Sequence, residues 1–478
     1  MTVADPVAVA ERLEEAEPVQ LARRVLEGKA EAWVVGGALR AAALGREVTD
    51  LDLAVAGSEE QAARAIAKAC GGHAFPLSDE FGTWRVVDRE RIAIADLTVL
   101  RGGSIEADLA ARDFTVGAVA MPLAGGGVLD PHRGLADLGS RTLRCVSERA
   151  FADDPLRLLR AARLGAELEL EPDEQTLRLA RAEAGRASEP AGERQFAELR
   201  RLVAGPDPLR GLELMDTLGV TGTVLPELEQ LRGLEQSPNH HLDVHGHTIE
   251  VLRQLLEVER DLERYAGERA AEARALLEQP LSDELTRGAA LRFGAVVHDA
   301  GKAVTREQRN GFVTFIGHDR EGAAIVGGMC RRLRTSRRLR RHLEALTVHH
   351  LRLGFMVHER PLQGRRIHDY LRATEPVSAD VTLLTVADRL AARGEGPVAS
   401  GEIVEAHLEL AEEMLGAALD WEREGPPRPL LRGDELAAEL GLEGPEVGRI
   451  LRELEAAQYA GEVATRDEAL ELARSAAG

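Results

Sequence analysis

Aromatic side chains make up only 3% of the 478 residues, so base stacking on ring platforms is excluded as the main mode of any nucleic-acid contact. Lysine is almost missing. Lys29, Lys68 and Lys302 are the whole supply, and guanidinium groups must make nearly every cationic contact. Three cysteines, Cys70, Cys145 and Cys330, lie far apart with no CxxC pair, which excludes a disulfide framework and a thiolate zinc site; a reducing, cytoplasmic setting is expected. No apolar run approaches the roughly 20 residues that span a bilayer. The opening MTVADPVAVAERLEEAEP is acidic rather than signal-like, so a soluble chain with no membrane partner is expected. Positive charge is in deficit: the net charge of −21 excludes a generally basic coat and leaves local patches as the only basic surfaces. What is present is 44% apolar residues, enough to bury sizeable cores, on a chain long enough for two to four domains at about 100–200 residues each.

The first 150 residues mix short β-type runs with loops: Ala32 to Gly37, Leu51 to Gly57, Trp84 to Asp88, Ile92 to Leu100 and Phe114 to Met121. From Phe151 the pattern turns to leucine and arginine at helical spacing and stays so almost to the end. The expected class is therefore α+β first and all-α afterwards. The acidic, alanine-rich stretch Leu256 to Arg287 reads as a solvated helical insertion.

Gly36 and Gly37 end a strand and open a helix, Arg40 follows one turn inside, and Asp50 and Asp52 come after. Residues two apart in a strand share a face, so the two carboxylates lie side by side and repel unless a cation sits between them. Magnesium, an oxygen-seeking ion that keeps positions for water and phosphates, suits that pair. The glycines can bring N–H groups close to a triphosphate, with Arg40 neutralising it. Asp96, in a strand-like run, is a candidate third carboxylate or a structural residue.

GGALRAAALGREVTDLDLAVAG resembles the GGxVRD, LG, DxD signature of the class II tRNA nucleotidyltransferases and poly(A) polymerases. ARDFTVGAVAM at Ala111 to Met121 is similar to the RRDFTxNA segment of that family, LDPHRGLADL to its DPxxGxxDL turn, and DDPLRLLRAARLGAELEL from Asp153 to its EDPxRxLRAxRF helix. The resemblance implies a polymerase-β-like nucleotidyltransferase head over 1–150, a base-selecting helical neck over 151–236, and a substrate set of the tRNA 3′ end with CTP and ATP. It assigns Asp50 and Asp52 to the catalytic magnesium ions, Gly36, Gly37 and Arg40 to the nucleotide, Arg112 and Asp113 to the ribose, and Asp154, Arg157 and Arg160 to the Watson–Crick edge of the incoming base. Read as a helix, positions 154, 157 and 160 fall on one face. The sequence departs from the family pattern at Ala41, Ala111, Gly117 and Asp153, and none of these is a metal carboxylate.

Eleven of the 14 histidines lie between His240 and His368. His247, the adjacent His298 and Asp299, His318, the His349–His350 pair and Asp388 form an imidazole–carboxylate set suited to manganese, iron, nickel or zinc. This resembles the HD superfamily of metal-dependent phosphohydrolases. That resemblance implies an HD domain over 237–400, with His247, His298, Asp299 and Asp388 as ligands, His318 and His350 completing a second site, and phosphomonoesters or 2′,3′-cyclic phosphates as substrates.

RRLRTSRRLRR, from Arg331, holds seven arginines and no acid; Arg331, Arg334, Arg338 and Arg341 recur at helical spacing, as a stripe for RNA phosphates or a plain solvated face. From Leu430 the sequence resembles the C-terminal segment of the same enzymes, which implies a helical RNA-binding tail over 401–478, with Gly444–Pro445 starting a helix. The expectation is template-independent CCA addition to tRNA plus an HD phosphohydrolase activity. Poly(A), CC-only or A-only addition is the alternative within the class; an HD phosphohydrolase with a binding-only head, or an RNA-binding scaffold with both sites silent, are the alternatives outside it.

Overall fold

Val34, Val35, Leu53 and Val55 are almost inaccessible to solvent, as expected where bulky β-formers on adjacent runs pair at the centre of a sheet. The computed structural model, which describes residues 5–78, 82–90, 92–396 and 400–477, divides into two units, Met1–Val224 and Leu225–Gly478. The first unit holds six strands: β1 (Glu31–Val35), β2 (Leu51–Ala56), β3 (His73–Ser78), β4 (Thr83–Val87), β5 (Ala93–Val99) and β6 (Ala120–Pro122). Their order is β3-β4-β5-β2-β1-β6, with β2 and β5 parallel and the other neighbours antiparallel. Trp33, Val35 and Ala54 pack with Ile105, Leu109, Ala118 and Ala120 on one side of it. Two registers matter for chemistry: Asp52 lies opposite Asp96 on β5 and opposite Val35 on β1, the residue just before Gly36.

Two strand expectations change. Of Phe114 to Met121 only Ala120–Pro122 begins a strand, because Thr115–Gly117 closes into a 3₁₀ turn. Thr115 anchors that turn, its N–H bonding to the Arg144 carbonyl and its hydroxyl donating to Asp137 at 2.7 Å. Strand β3 has no counterpart in the sequence reading. Pro76 argues against a strand, but β3 is the sheet edge, where a missing N–H costs no ladder bond.

After the sheet come the helices Leu156–Leu168, Gly192–Ala204 and Pro208–Leu218, which pack against one another. Asp154 stands outside the first of them. It precedes Pro155 and takes extended angles (φ −146°, ψ 100°), as residues before proline do, so Asp154, Arg157 and Arg160 do not share one helix face; only the two arginines do.

The second unit is built on helices Val244–Arg260, Arg287–Val297, His318–Arg332, Arg337–His349, Ser378–Ala391 and Gly401–Glu424. The stretch Leu256 to Arg287 is not a solvated insertion. Leu256, Leu262, Tyr265, Ala273, Leu276, Leu277, Leu281 and Leu285 are buried, because the apolar residues set among its acids gather on one side, and its short helices pack on Arg287–Val297 and Gly401–Glu424. The arginine stripe is also broken. The helix ends at Arg332, Arg334 turns left-handed (φ 54°), and Ser336 caps a new helix from Arg337; Leu333 and Leu339, both fully buried, fold the two helices side by side. Arg331, Arg334, Arg338 and Arg341 remain exposed, around a turn rather than along one face. A satellite core of Leu436, Ile450, Leu454 and Val463 ties the last helices together, with Pro445–Tyr459 starting at the expected position.

Asp380 is fully buried in Ser378–Ala391, and the Arg287 guanidinium is clamped between it and Glu422, the latter at 2.8 Å. Removing one partner of such a pair strands the other charge away from water. Asp380→Ala is expected to cost about 3 kcal/mol in the unfolding transition of this unit followed by urea titration, whereas the exposed Arg423→Ala should change it by about 0.5 kcal/mol or less.

Candidate functional sites

Gly36 takes a positive φ of 66°, and a Cβ built there would lie 2.6 Å from Asp52 Oδ2, so only glycine lets the chain turn this close to the carboxylate. The reward of the close approach is a hydrogen bond: Gly37 N–H donates to Asp52 Oδ2 at 2.8 Å. Burial pushes the Asp52 carboxyl above its ordinary value, the Gly37 bond and Arg40 pull it down, and the like charges of Asp96 and Asp50 push it up again. The structure thus gathers three carboxylates, with Asp50 exposed at the entry of β2 and Asp96 held by a two-pronged bond from Arg85, 2.8 Å at each contact. Arg40 is half-buried with Asp52 and Asp113 as its nearest opposite charges, and burial lowers its pKa. Carboxylates on adjoining strand positions, with a backbone N–H turned toward Asp52, fit a divalent cation and an anionic ligand.

The remaining head and neck residues form a network. Arg112 is engaged by buried Asp108 (2.9 Å) and by the Gly117 carbonyl (3.2 Å), which fixes the segment that carries Asp113. Asp113 accepts from Phe114 N–H and from Arg160 at 3.0 Å; burial opposes its ionisation, but Arg160 outweighs it and holds the carboxyl below its usual range. Arg157 donates to the carbonyls of Ala111 and Ala150, and Asp154 accepts from Leu156 N–H and Arg194. Glu198, which the sequence reading missed, joins Arg160 (3.2 Å) to buried Arg163 (2.6 Å). Its only sequence signal is its place one helical turn after Arg194.

In the second unit His298, His318 and His350 each aim Nδ1 at a backbone carbonyl, of Ala295, Phe315 and Thr347, at 2.7–2.9 Å. A carbonyl only accepts, so each Nδ1 carries a proton and each Nε2 is left turned to the interior. Two such nitrogens, of His318 and His350, face each other at 3.2 Å, with Asp299 Oδ1 3.4 and 3.8 Å away. His298 Nε2 is buried without a hydrogen-bond partner. Two triads with ligand atoms in mutual reach result: His247, His298 and Asp388; and Asp299, His318 and His350. Asp299 joins them, since its other oxygen, Oδ2, lies 3.3 Å from His298 and 3.8 Å from His247. Imidazole nitrogens and carboxylates converging in one largely buried pocket fit a metal cation. Gly301 makes the convergence possible: a Cβ there would meet the His318 carbonyl at 2.0 Å.

Burial opposes the ionisation of Asp299, yet Lys302 and His298 hold its carboxyl well below the ordinary range. Burial and the neighbouring His298 push His350 down to about 4. Two residues outside the expected ligand set stand here. Lys302, the last of only three lysines, places Nζ 2.7 Å from Asp299 and 2.8 Å from Gln236. His240 lies edge-on to His247, ring centres 4.6 Å apart, and burial with the His247 charge pushes it down to about 3.

Glu198→Gln tests the head network by pH. Burial opposes Glu198 ionisation, but Arg163 and Arg160 depress its pKa, so its stabilisation is complete above about pH 4.3 and drains away as pH falls below it. Urea midpoints are expected to show the variant roughly 3 kcal/mol less stable at neutral pH, with the gap closing in acid.

Residues 32–144 match the profile described as the poly A polymerase head domain, 169–231 that of the probable RNA and SrmB-binding site of polymerase A, and 244–393 the HD domain. An A-adding tRNA nucleotidyltransferase of Deinococcus radiodurans is 37% identical over 92% of this chain and 94% of its own. A CC-adding tRNA nucleotidyltransferase of Thermus thermophilus is 35% identical over 92% of each. A solved structure of a CCA-adding enzyme with ATP shares the fold, with a TM-score of 0.64 and 20% identity over 98% of both chains. With whole-length kinship and the carboxylate-lined head in agreement, this chain belongs to the tRNA nucleotidyltransferase and poly(A) polymerase family and carries an HD domain.

Proposed function

We propose that this protein adds C and A nucleotides to the 3′ end of tRNA without a nucleic-acid template, using CTP and ATP, in the bacterial cytoplasm, and that its HD domain hydrolyses phosphoesters. The observation that carries the first part is the glycine turn locked onto Asp52 beside Asp50, Asp96 and Arg40. No helix among the described residues is long and apolar enough to cross a membrane. The working division is head 1–150, neck 151–236, HD domain 237–400 and tail 401–478.

Asp50 and Asp52 hold the magnesium, whose charge eases attack of the RNA 3′-hydroxyl on the α-phosphate and departure of pyrophosphate. Gly36, Gly37 and Arg40 orient the triphosphate. Asp113, kept ionised by Arg160, meets the ribose hydroxyls, and Arg112 holds the loop beneath it. Asp154 and Arg157 present a carboxylate acceptor and guanidinium donors to the base edge, so protein groups choose between C and A. Arg157 gives up a carbonyl contact to do so. In the HD domain His247, His298, Asp299 and Asp388 hold one transition metal, of the manganese, nickel, iron or zinc kind, and His318 and His350 with the second Asp299 oxygen hold another. Exposed Arg331, Arg334, Arg338 and Arg341 supply the local positive surface for RNA phosphates.

Three tRNA transcripts, ending before CCA, after C and after CC, incubated with CTP, ATP or both and sized at nucleotide resolution, test this reading. Growth that stops at CCA supports it; a stop at CC, addition of the last A alone, or a long A tail reassigns the activity within the family. Asp52→Ala is expected to reduce addition at least a thousandfold, about 4 kcal/mol of transition-state stabilisation, while leaving phosphoester hydrolysis intact. His298→Ala and Asp299→Ala should do the reverse. A single substitution that removes both activities from a folded protein contradicts separate sites.

A further inference from the structure

From Asp52 outward the head sheet carries one unbroken row of side chains on a single face. Asp52 lies opposite Asp96 on β5, Asp96 opposite Arg85 on β4, and Arg85 opposite Phe75 on the edge strand β3. Residues directly opposite in neighbouring strands share a face, and the two-pronged bond from Arg85 to Asp96, 2.8 Å at each contact, shows that these two do. Three strand steps of about 4.8 Å put Phe75 about 14 Å from the Asp52 backbone. Phe75 is 42% accessible, and Leu77, two residues on, is 47%. The opposite face of this wing is closed: helix Glu59–Cys70 packs along β3, β4 and β5, Val86 and Leu97 are fully buried, and Arg64 of that helix lies 5.4 Å over the Trp84 ring.

A lone exposed ring needs no explanation; one in register with the Asp52 carboxylate does. The chemistry of the head says what reaches it. Gly36, Gly37 and Arg40 follow β1, Gly37 N–H donates to Asp52, and Arg40 answers the charges of Asp52 and Asp113, so the triphosphate lies on the β1 side of Asp52. In nucleotidyl transfer the attacking hydroxyl and the departing pyrophosphate stand roughly in line across the α-phosphate. With pyrophosphate toward β1, the RNA 3′ end comes from the other side, over β5, β4 and β3, which is the side that ends in Phe75. Exposed Arg89 lies against Gly71, two residues before β3, and adds a guanidinium to that edge. A ring that takes a base, with a cation for the backbone, is the pairing that single-stranded RNA uses.

Resting on the nucleotide-addition reading of the head, we propose that Phe75 is an RNA-binding residue: a base near the 3′ end of the RNA stacks on its ring and seats the terminal hydroxyl at Asp52. At about 3.4 Å per stacked nucleotide, the row spans about the last four nucleotides. Stacking tolerates any base, so one ring holds RNA ends that differ in their last residues, as stepwise addition requires. Phe75 positions the RNA and takes no part in choosing between C and A.

The full-length protein with Mg²⁺ is assayed for addition to a tRNA transcript that lacks CCA. Phe75→Ser is expected to raise KM for the RNA about tenfold while KM for CTP and ATP stays within about twofold, which also shows that the variant is folded. Phe75→Tyr should restore the wild-type RNA KM, and Val7→Ser, which removes an exposed side chain from helix Pro6–Glu15, should leave every constant unchanged. Transcripts with an abasic nucleotide at each of the last four positions locate the stacked base: at one of them wild type should lose about tenfold in KM and Phe75→Ser nothing further. An unchanged RNA KM in Phe75→Ser, a raised nucleotide KM in its place, or the same abasic penalties in wild type and variant overturn the stacking role with nucleotide addition standing. A wild type that lengthens no RNA overturns the addition reading and this inference together.

Discussion

Ligand-type side chains gathered at one point by backbone that glycine lets come close are the constraint on which both functional regions depend. Water would separate such groups or insert between them; a folded chain that keeps them together stores repulsion that only a cation relieves. Asp52 meets Asp96 across β2 and β5 because the parallel register leaves no choice. His318 meets His350 Nε2 to Nε2 because their far nitrogens are committed to carbonyls. In each case a glycine, Gly36 or Gly301, lets backbone come closer than any side chain would allow. The local chain geometry is therefore bent toward the site, and the site's charge balance is completed by what it binds.

The surroundings answer this with arginine. Asp113 is fixed by Arg160, Arg160 by Glu198, and Glu198 by Arg163, so the Asp113 carboxylate is braced through three more charges to a helix core. The guanidinium fork makes two or three directed bonds at once and keeps its charge when buried, which a nearly lysine-free chain exploits throughout. Lys302 is the informative exception. A compact ammonium fits the crowded space beside Asp299, between Gln236 and the Phe315 ring, where a planar fork would not.

What the sequence made legible was the order of chemistry-bearing residues: the glycine pair before the two aspartates, and the spaced histidines with their HD pair. Those patterns are local or follow strand and helix periods. What it hid was set by tertiary context. Pro76 masks an edge strand, Thr115 spends its hydroxyl on Asp137 and turns an apparent strand into a 3₁₀ turn, and Pro155 detaches Asp154 from the helix of Arg157 and Arg160. The acidic stretch after Leu256 looked solvated because its charges outnumber its leucines, yet the leucines share one side. Glu198, His240 and Gln236 carry no motif; only folding brings them beside their partners.

Asp299, with one oxygen toward His318 and His350 and the other toward His298 and His247, is the proposed bridge between two metal positions in one buried cluster. Electron paramagnetic resonance during Mn²⁺ titration of the full-length protein, compared with Asp299→Ala, tests it most directly. Two tight equivalents whose spectrum shows exchange between neighbouring ions are expected in wild type, with loss of that coupled signal in the variant. A single tight equivalent with an isolated-ion spectrum, or a coupled pair that survives removal of Asp299, would contradict it.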